Sequence, residues 1–347
     1  MNKKKIRKKN ILLIYTGGTI GMFRHPSKGS LVPLDFRNIR RWIPELERID
    51  ANIHTHAFKK PIDSSDMHPN VWIELVNIIE KNYESFDGFV ILHGSDTMSY
   101  TASALSFLLE NIRKPVILTG SQLPLGTLRT DGKENLITSI EIATMENKNS
   151  EPMVKEVCIY FEYKLFRGNR TFKFNSEHFN AFMSPNYPLL AEAGIDIRFN
   201  ENYLLKPGKQ TQFHKCMEND LMILHLFPGL SKKITGSIAQ IHDLKALILV
   251  SYGSGNAPQL KWFDEFIKNL INRGVIIVNV TQCKMGRVDQ SKYETGRHLL
   301  ELGVLGAGDM TLEAAVTKLM FLLAKESGID KIKRKFVSNI RGELTEK

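Results

Sequence analysis

The sequence is poor in cysteine and has no long apolar run. Its three cysteines, Cys158, Cys216 and Cys283, are odd in number and widely spaced, which excludes a disulfide framework. Cys158 and Cys283 lie in or beside apolar runs (VCIYF, IIVNVTQC), where buried free thiols are expected. The 10 histidines show no paired zinc spacing, so no metal is expected. No segment approaches the roughly 20 apolar residues that span a bilayer. The start, MNKKKIRKKN then ILLIY, imitates a secretory leader, but its apolar part is too short and no small-residue cleavage site follows. A cytoplasmic protein with no membrane partner is expected. There is no dinucleotide fingerprint, no phosphate loop ending in Gly-Lys-Ser/Thr, no Gly-x-Ser-x-Gly elbow and no internal repeat. The net charge of +10 permits contact with nucleic acid, but much of the excess lies in Lys3 to Lys9 and Lys331 to Lys335. Without a stripe of basic and aromatic residues, nucleic acid is not expected as a partner.

What is present is a repeated layout. The apolar run Ile11 to Ile14 reads as a buried strand, and YTGGTIGM follows. Gly17-Gly18 can turn sharply and let a ligand approach the main chain, leaving the Thr19 hydroxyl at a strand's carboxyl end. Ile91 to Tyr100, ILHGSDTMSY, repeats the pattern with Ser95, Asp96 and Thr97 after its glycine. Between them, FRHPSKGSLVPLD is a loop beside Thr19 and a candidate lid. Ser64, Ser65 and Asp66 stand at the end of a strand predicted from Asn52 to Phe58, before a helix opened by Pro69.

Strands at 88–92, 115–118 and 154–164 alternate with helices at 36–49 (interrupted at Pro44), 69–83, 100–110 and 135–145. That alternation describes an α/β protein with a mainly parallel sheet. Arg167, Arg170 and Lys173 cluster in a turn after the 154–164 strand. With 347 residues the chain can hold two domains. The N-terminal one is expected over 10–199, the smaller C-terminal one over 220–347, and the polar, aperiodic 200–219 reads as a linker. Further strands (221–227, 246–250, 275–280) and helices (262–272, 310–325) fill the second domain.

These residue types fit amide hydrolysis. An amide nitrogen leaves poorly, so the reaction needs an activated nucleophile, a proton donor and donors for the oxyanion. Thr19 can attack, and N–H groups of its glycine turn can serve the oxyanion. Ser95 and Asp96 stand on the second turn, with Lys173 as the cation that Asp96 would pair. A lysine whose pKa is lowered by burial can take a proton through the serine. Each piece has an ordinary structural counterpart: TGGT a tight turn, HGSDT a helix cap, SSD a capping loop, His93 a packed strand-end histidine.

Taken together, YTGGTIGM and GFVILHGSDTMSYTASALSFLLEN resemble the two signatures of the bacterial-type L-asparaginase family, closest to its cytoplasmic type I branch. DSSDM, TGSQLP, RGNRT, SYGSGNAP, TQC, GAGDM and the closing NIRGELT fit as well, so the resemblance covers nearly the whole chain. It implies a two-domain α/β fold, hydrolysis of L-asparagine to L-aspartate and ammonia without metal or cofactor, and self-association as a homodimer or homotetramer. It places Thr19 as the nucleophile, Asp96 and Lys173 as the family's aspartate and lysine, and Ser64 and Ser65 in the substrate-binding loop. Gly18 belongs to the same pocket, and Asp96 is expected to hold the α-amino group of the substrate.

Three departures stand out. Ser95 replaces the family's second threonine, which keeps the hydroxyl but loses the methyl that restricts its rotamer. The lid stretch KGSLVP lacks a tyrosine, and Tyr293 matches the position from which the second domain of some type I members supplies one; it is assigned the activation of Thr19. Some type I members bind asparagine as an effector through an arginine before SYG and the cysteine of TQC. Here Val250 takes the arginine's place while Thr281 and Cys283 remain, so activation by asparagine is expected to be weak or absent. Asn256 is a candidate contribution to a neighbouring subunit's site. Two other functions compete: the ammonia-generating subunit of a tRNA-dependent amidotransferase, and an asparagine sensor. The first resembles this chain only beyond an extra N-terminal domain. Against the second, a sensor has no need of Thr19.

Overall fold

A computed structural model describes residues 7–24, 31–33, 39–291 and 294–346. The chain divides into two compact units, Met1–Lys215 and Cys216–Lys347. In the first, eight strands form one sheet: β1 Lys9–Gly17, β2 Ala51–Ile62, β3 Gly88–Leu92, β4 Val116–Thr119, β5 Val157–Phe161, β6 Lys164–Arg167, β7 Ala191–Ala193 and β8 Ile197–Phe199. Their spatial order is β8-β7-β6-β5-β4-β3-β1-β2. The pairs β2/β1, β1/β3, β3/β4 and β4/β5 are parallel. The central strands GFVIL and VILT are buried at every position, as parallel strands covered on both faces must be.

The strand order 2-1-3-4-5 sends the chain from β1 outward to β2 and then back across β1 to β3. The direction of winding reverses between β1 and β3. In open α/β sheets ligands bind in the crevice at that switch point, beyond the carboxyl ends of the strands. The Gly-Gly-Thr turn follows β1 and the Gly-Ser-Asp turn follows β3.

Three helices in this unit match their expected places, with shifted ends: Pro69–Asn82, Met98–Leu108 and Gly132–Thr144. The 36–49 stretch is instead a four-residue helix, Ile39–Trp42, and a 3-10 segment, Pro44–Arg48; Phe36 lies outside the described residues. Met98–Leu108 is buried all round rather than on one apolar face. Its small residues allow this: a methyl on Gly168 would lie 3.0 Å from Cβ of Ala102. The single strand expected over 154–164 is two strands, β5 and β6, paired antiparallel about Glu162 and Tyr163. Both turn residues take left-handed angles, φ 46° and 62°, with no glycine or asparagine to mark them.

Glu201–Tyr203 in the 200–219 stretch forms a 3-10 turn, and Gln212–Phe213 pairs with Leu109–Glu110. In the second unit, β9 Leu221–His225, β10 Ala246–Ser251, β11 Ile276–Thr281 and β12 Leu305–Gly306 form a parallel sheet in sequence order. Phe263, Phe266, Ile267 and Leu270 of the Lys261–Asn272 helix are buried in its core. Helices Lys232–Ala239, Glu294–Glu301 and Ile329–Phe336 are each eight residues long, shorter than the window of roughly 11–18 residues in which helical periodicity is read. Among the described residues no helix is long and apolar enough to cross a membrane.

Candidate active site

Thr19 opens a short 3-10 turn, Thr19–Gly21, after Gly17 (φ +142°) and Gly18 (φ +87°), conformations that L side chains rarely adopt. Thr19 is half-buried. The ring of Tyr15 fills the space beneath the turn, so a methyl on Gly21 would fall 2.2 Å from it. Burial pushes the Tyr15 phenol up to about 12, so it stays neutral and serves as a prop.

The absence of side chains lets three loops converge. A methyl on Gly18 would lie 2.5 Å from both N and Cα of Gly94, and one on Gly94 would lie 2.5 Å from Oγ of Ser64. The turns after β1 and β3 therefore touch main chain to main chain, and the serine loop after β2 packs the Ser64 side chain against Gly94. The Thr97 hydroxyl donates to the Ser64 carbonyl at 2.6 Å. Thr97 occupies the N-cap position of the Met98–Leu108 helix, yet its hydroxyl makes no capping bond; it ties two loops together. Ser64 is buried, whereas Ser65 is exposed and bonded to Asp63, whose carboxyl is held low by the Ser65 N–H and hydroxyl.

Lys173 arrives from the far side. It ends the Phe172–Lys173 strand, paired with Phe182–Met183. Its ammonium donates to Ser95 Oγ at 3.0 Å and forms an ion pair with Asp96. Lys173 is mostly buried while the Asp96 side chain is 63% exposed, which leaves that carboxylate open to a second cation. Arg167 and Arg170, grouped with Lys173 in the sequence, point elsewhere. Both are buried, Arg167 bonded to Glu156 at 2.7 Å, and both guanidinium groups lie over the Tyr187 ring, at 4.4 and 4.9 Å from its centroid. They anchor the RGNRT turn from which Lys173 extends.

His93 is fully buried. Nδ1 lies 2.7 Å from the Gly94 carbonyl and Nε2 2.9 Å from Thr101 Oγ1, which also accepts from the Trp72 indole at 2.9 Å. A carbonyl only accepts, so Nδ1 carries the proton and Nε2 accepts from Thr101. Burial lowers the pKa to about 4. The histidine is a neutral link holding the Gly94 turn, as the packing expectation had it. No cluster of three metal-ligating side chains occurs among the described residues.

Sequence reasoning missed Gln122, whose Oε1 accepts from the Ser95 hydroxyl at 3.2 Å; only the fold brings it there. Tyr293 lies outside the described residues, as do residues 25–30 and 34–35 of the lid stretch; Met22–Arg24 and Leu31–Pro33 pair antiparallel. Cys158 is buried as expected, but Cys283 is exposed, because β11 ends at Thr281. It lines a cleft of about 370 Å³ with Gly253, Ser254 and Arg287.

A hydroxyl on a glycine turn next to the turn that carries a serine, lysine and carboxylate network, at the switch point of a parallel sheet, has the makings of a hydrolase for small polar substrates. Comparison with known proteins narrows the class. The model of the asparaginase N-terminal domain matches residues 10–204, and that of the glutaminase/asparaginase C-terminal domain matches 220–336. The chain belongs to the asparaginase family. It is 42% identical to L-asparaginase 1 of Escherichia coli K12, over 98% of this chain and 99% of that protein. The crystal structure of L-asparaginase I from Vibrio cholerae superposes with a TM-score of 0.87 at 39% identity, covering 98% of this chain and all of the other. The thermostable L-asparaginase from Thermococcus kodakarensis also gives 0.87, at 32% identity, covering 97% of this chain and all of that one.

Proposed function

We propose that the protein hydrolyses L-asparagine to L-aspartate and ammonia through an acyl-enzyme formed on Thr19. The observation that carries the assignment of residues is the bond from Lys173 to Ser95 Oγ, made while Lys173 also pairs with Asp96 at the switch point. The membership of the family and its near full-length relatives supports the substrate.

In this reading the Thr19 hydroxyl attacks the side-chain carboxamide carbon, and N–H groups of the glycine turn stabilise the oxyanion. Collapse of the tetrahedral intermediate, with the proton given up by Thr19 delivered to the amide nitrogen, expels ammonia and leaves an ester to Thr19. Water hydrogen-bonded to Ser95 Oγ then attacks the ester carbonyl; its proton passes through the Ser95 hydroxyl to the departing Thr19 oxygen, which releases aspartate and restores the hydroxyl, while the Lys173 ammonium holds Ser95 in place. The exposed Asp96 carboxylate receives the substrate's α-amino group, while Gly18, Ser64 and Ser65 line the pocket that takes its α-carboxylate and backbone. Tyr293 is proposed to activate Thr19. A cytoplasmic location, the division into domains at 10–199 and 220–347, and a homodimer or homotetramer complete the proposal.

The test is release of ammonia and aspartate from L-asparagine, with L-glutamine in parallel and Thr19→Ala as control. Release abolished by Thr19→Ala supports both activity and nucleophile. Release that survives in Thr19→Ala overturns the nucleophile, and asparagine binding without turnover in the unmodified protein overturns the activity.

A further inference from the structure

Gln122 stands after β4, at the carboxyl end of the strand beside β3. Its main chain is fixed by the Asp131 carboxylate, which accepts from the N–H groups of Gln122 (2.9 Å) and Leu123 (3.1 Å). Burial pushes the Asp131 carboxyl up, and those N–H groups pull the other way. The side-chain amide has two protons, and both are committed: one to the Ser176 carbonyl at 3.2 Å, one to the His178 carbonyl at 3.1 Å. The reverse amide orientation would set its oxygen against two carbonyls, so the network assigns Oε1 to Ser95.

The other partner of Ser95 is a donor. Lys173 in its ion pair with Asp96 is an ammonium with no lone pair, so it can only give a hydrogen bond to Ser95 Oγ. The hydroxyl proton of Ser95 therefore points to Gln122 Oε1. Both partners ride on one frame. Lys173 ends the first strand of the hairpin whose loop holds Ser176 and His178, and Asn175 stiffens that loop by accepting from the N–H groups of Glu177 and His178.

We propose that Gln122 is a positioning residue for Ser95: its amide oxygen selects the hydroxyl rotamer that a threonine at this position would hold by its own methyl group. A serine side chain has three staggered wells and little to choose among them, whereas β-branching restricts χ1. Here an acceptor on the neighbouring strand does that work. The proposal rests on the reading of Ser95 as a relay in hydrolysis.

The experiment is a double-mutant cycle on asparagine hydrolysis, with Gln122→Met placed in both the Ser95 and the Ser95→Thr proteins. In the Ser95 protein, kcat should fall about tenfold with KM little changed, the worth of one hydrogen bond. In the Ser95→Thr protein the same substitution should lower kcat by less than about threefold, because the methyl now holds the rotamer. Equal losses in the two backgrounds would overturn the proposal and leave Gln122 as a pin for the 175–178 loop. Gln122→Leu, with thermal unfolding of each variant, repeats the cycle should the methionine variant fold poorly. Ser95→Ala separates the two levels: if it retains full activity, the relay reading falls and the proposal with it, whereas an inactive Ser95→Ala with equal Gln122 losses removes the proposal alone.

Discussion

Gly18 and Gly94 meet main chain to main chain, with room for no side-chain atom between them: a methyl on Gly18 would lie 2.5 Å from Cα of Gly94. Gly18 also holds φ at +87°. Gly18→Ala must therefore push the first turn away from the second. We expect kcat/KM for asparagine to fall by about 100-fold or more and stability by roughly 1–3 kcal/mol, from overpacking and backbone strain together. Gly94→Ala should act similarly through Ser64. Steady-state kinetics and urea unfolding read the two effects, and a Gly18→Ala enzyme of native activity would show that the turns need not touch.

His93 makes stability depend on pH. Its folded pKa of about 4 lies below the ordinary value of 6.5, so the unfolded chain takes up a proton first as pH falls. The contribution is complete above pH 6.5, is lost progressively between 6.5 and about 4, and is flat below. At 1.36 kcal/mol per unit the span is roughly 3 kcal/mol. Urea unfolding at pH 7.5 and pH 5 should show about 2 kcal/mol of this loss, the part that falls between 6.5 and 5, and His93→Gln should flatten it. A slope unchanged by His93→Gln would assign the pH dependence to other groups.

Much of this site was legible in the sequence because each turn announces itself locally. An apolar run, a glycine and a hydroxyl suffice to place Thr19 and Ser95 at strand ends. The illegible parts are of two kinds. Gln122 lies 27 residues from Ser95, and only the pairing of β3 with β4 sets the two beside each other. The hairpin that begins in 154–164 and ends at Arg167 turns on Glu162 and Tyr163, whose left-handed angles carry no residue signal, so the run read as one strand folds back into two. Arg167 and Arg170 cluster in a turn in the sequence, and nothing local marks them as buried; Glu156 and the Tyr187 ring allow their burial.

The Glu156–Arg167 pair sets up an asymmetric expectation. Both side chains are almost fully buried, and Glu156 also accepts from the Leu205 N–H at 2.7 Å. Glu156→Leu leaves a buried guanidinium without its carboxylate and should cost roughly 3–5 kcal/mol. The double variant Glu156→Leu/Arg167→Met removes both charges and should recover part of that loss, the Leu205 N–H remaining unsatisfied. Because Arg167 anchors the turn leading to Lys173, the single variant should also lower kcat. Chemical denaturation of the three proteins decides it: a double variant less stable than Glu156→Leu would mean the pair acts through packing rather than charge.

Two residues of the second unit bear on regulation by asparagine. Val250 stands in β10 at the place where an effector site of the type I kind would need a guanidinium, and it is buried at 4% exposure. The Thr281 hydroxyl is already engaged: it donates to the Gly253 carbonyl at 2.5 Å and accepts from the Cys283 N–H at 3.0 Å. An apolar side chain offers a carboxylate nothing, and a hydroxyl serving its own turn has no proton to spare. Initial rates against asparagine concentration should therefore follow a hyperbola with a Hill coefficient near 1. A sigmoidal curve that persists in Cys283→Ser would place any cooperativity elsewhere, whereas one abolished by Cys283→Ser would show that the site works without the guanidinium.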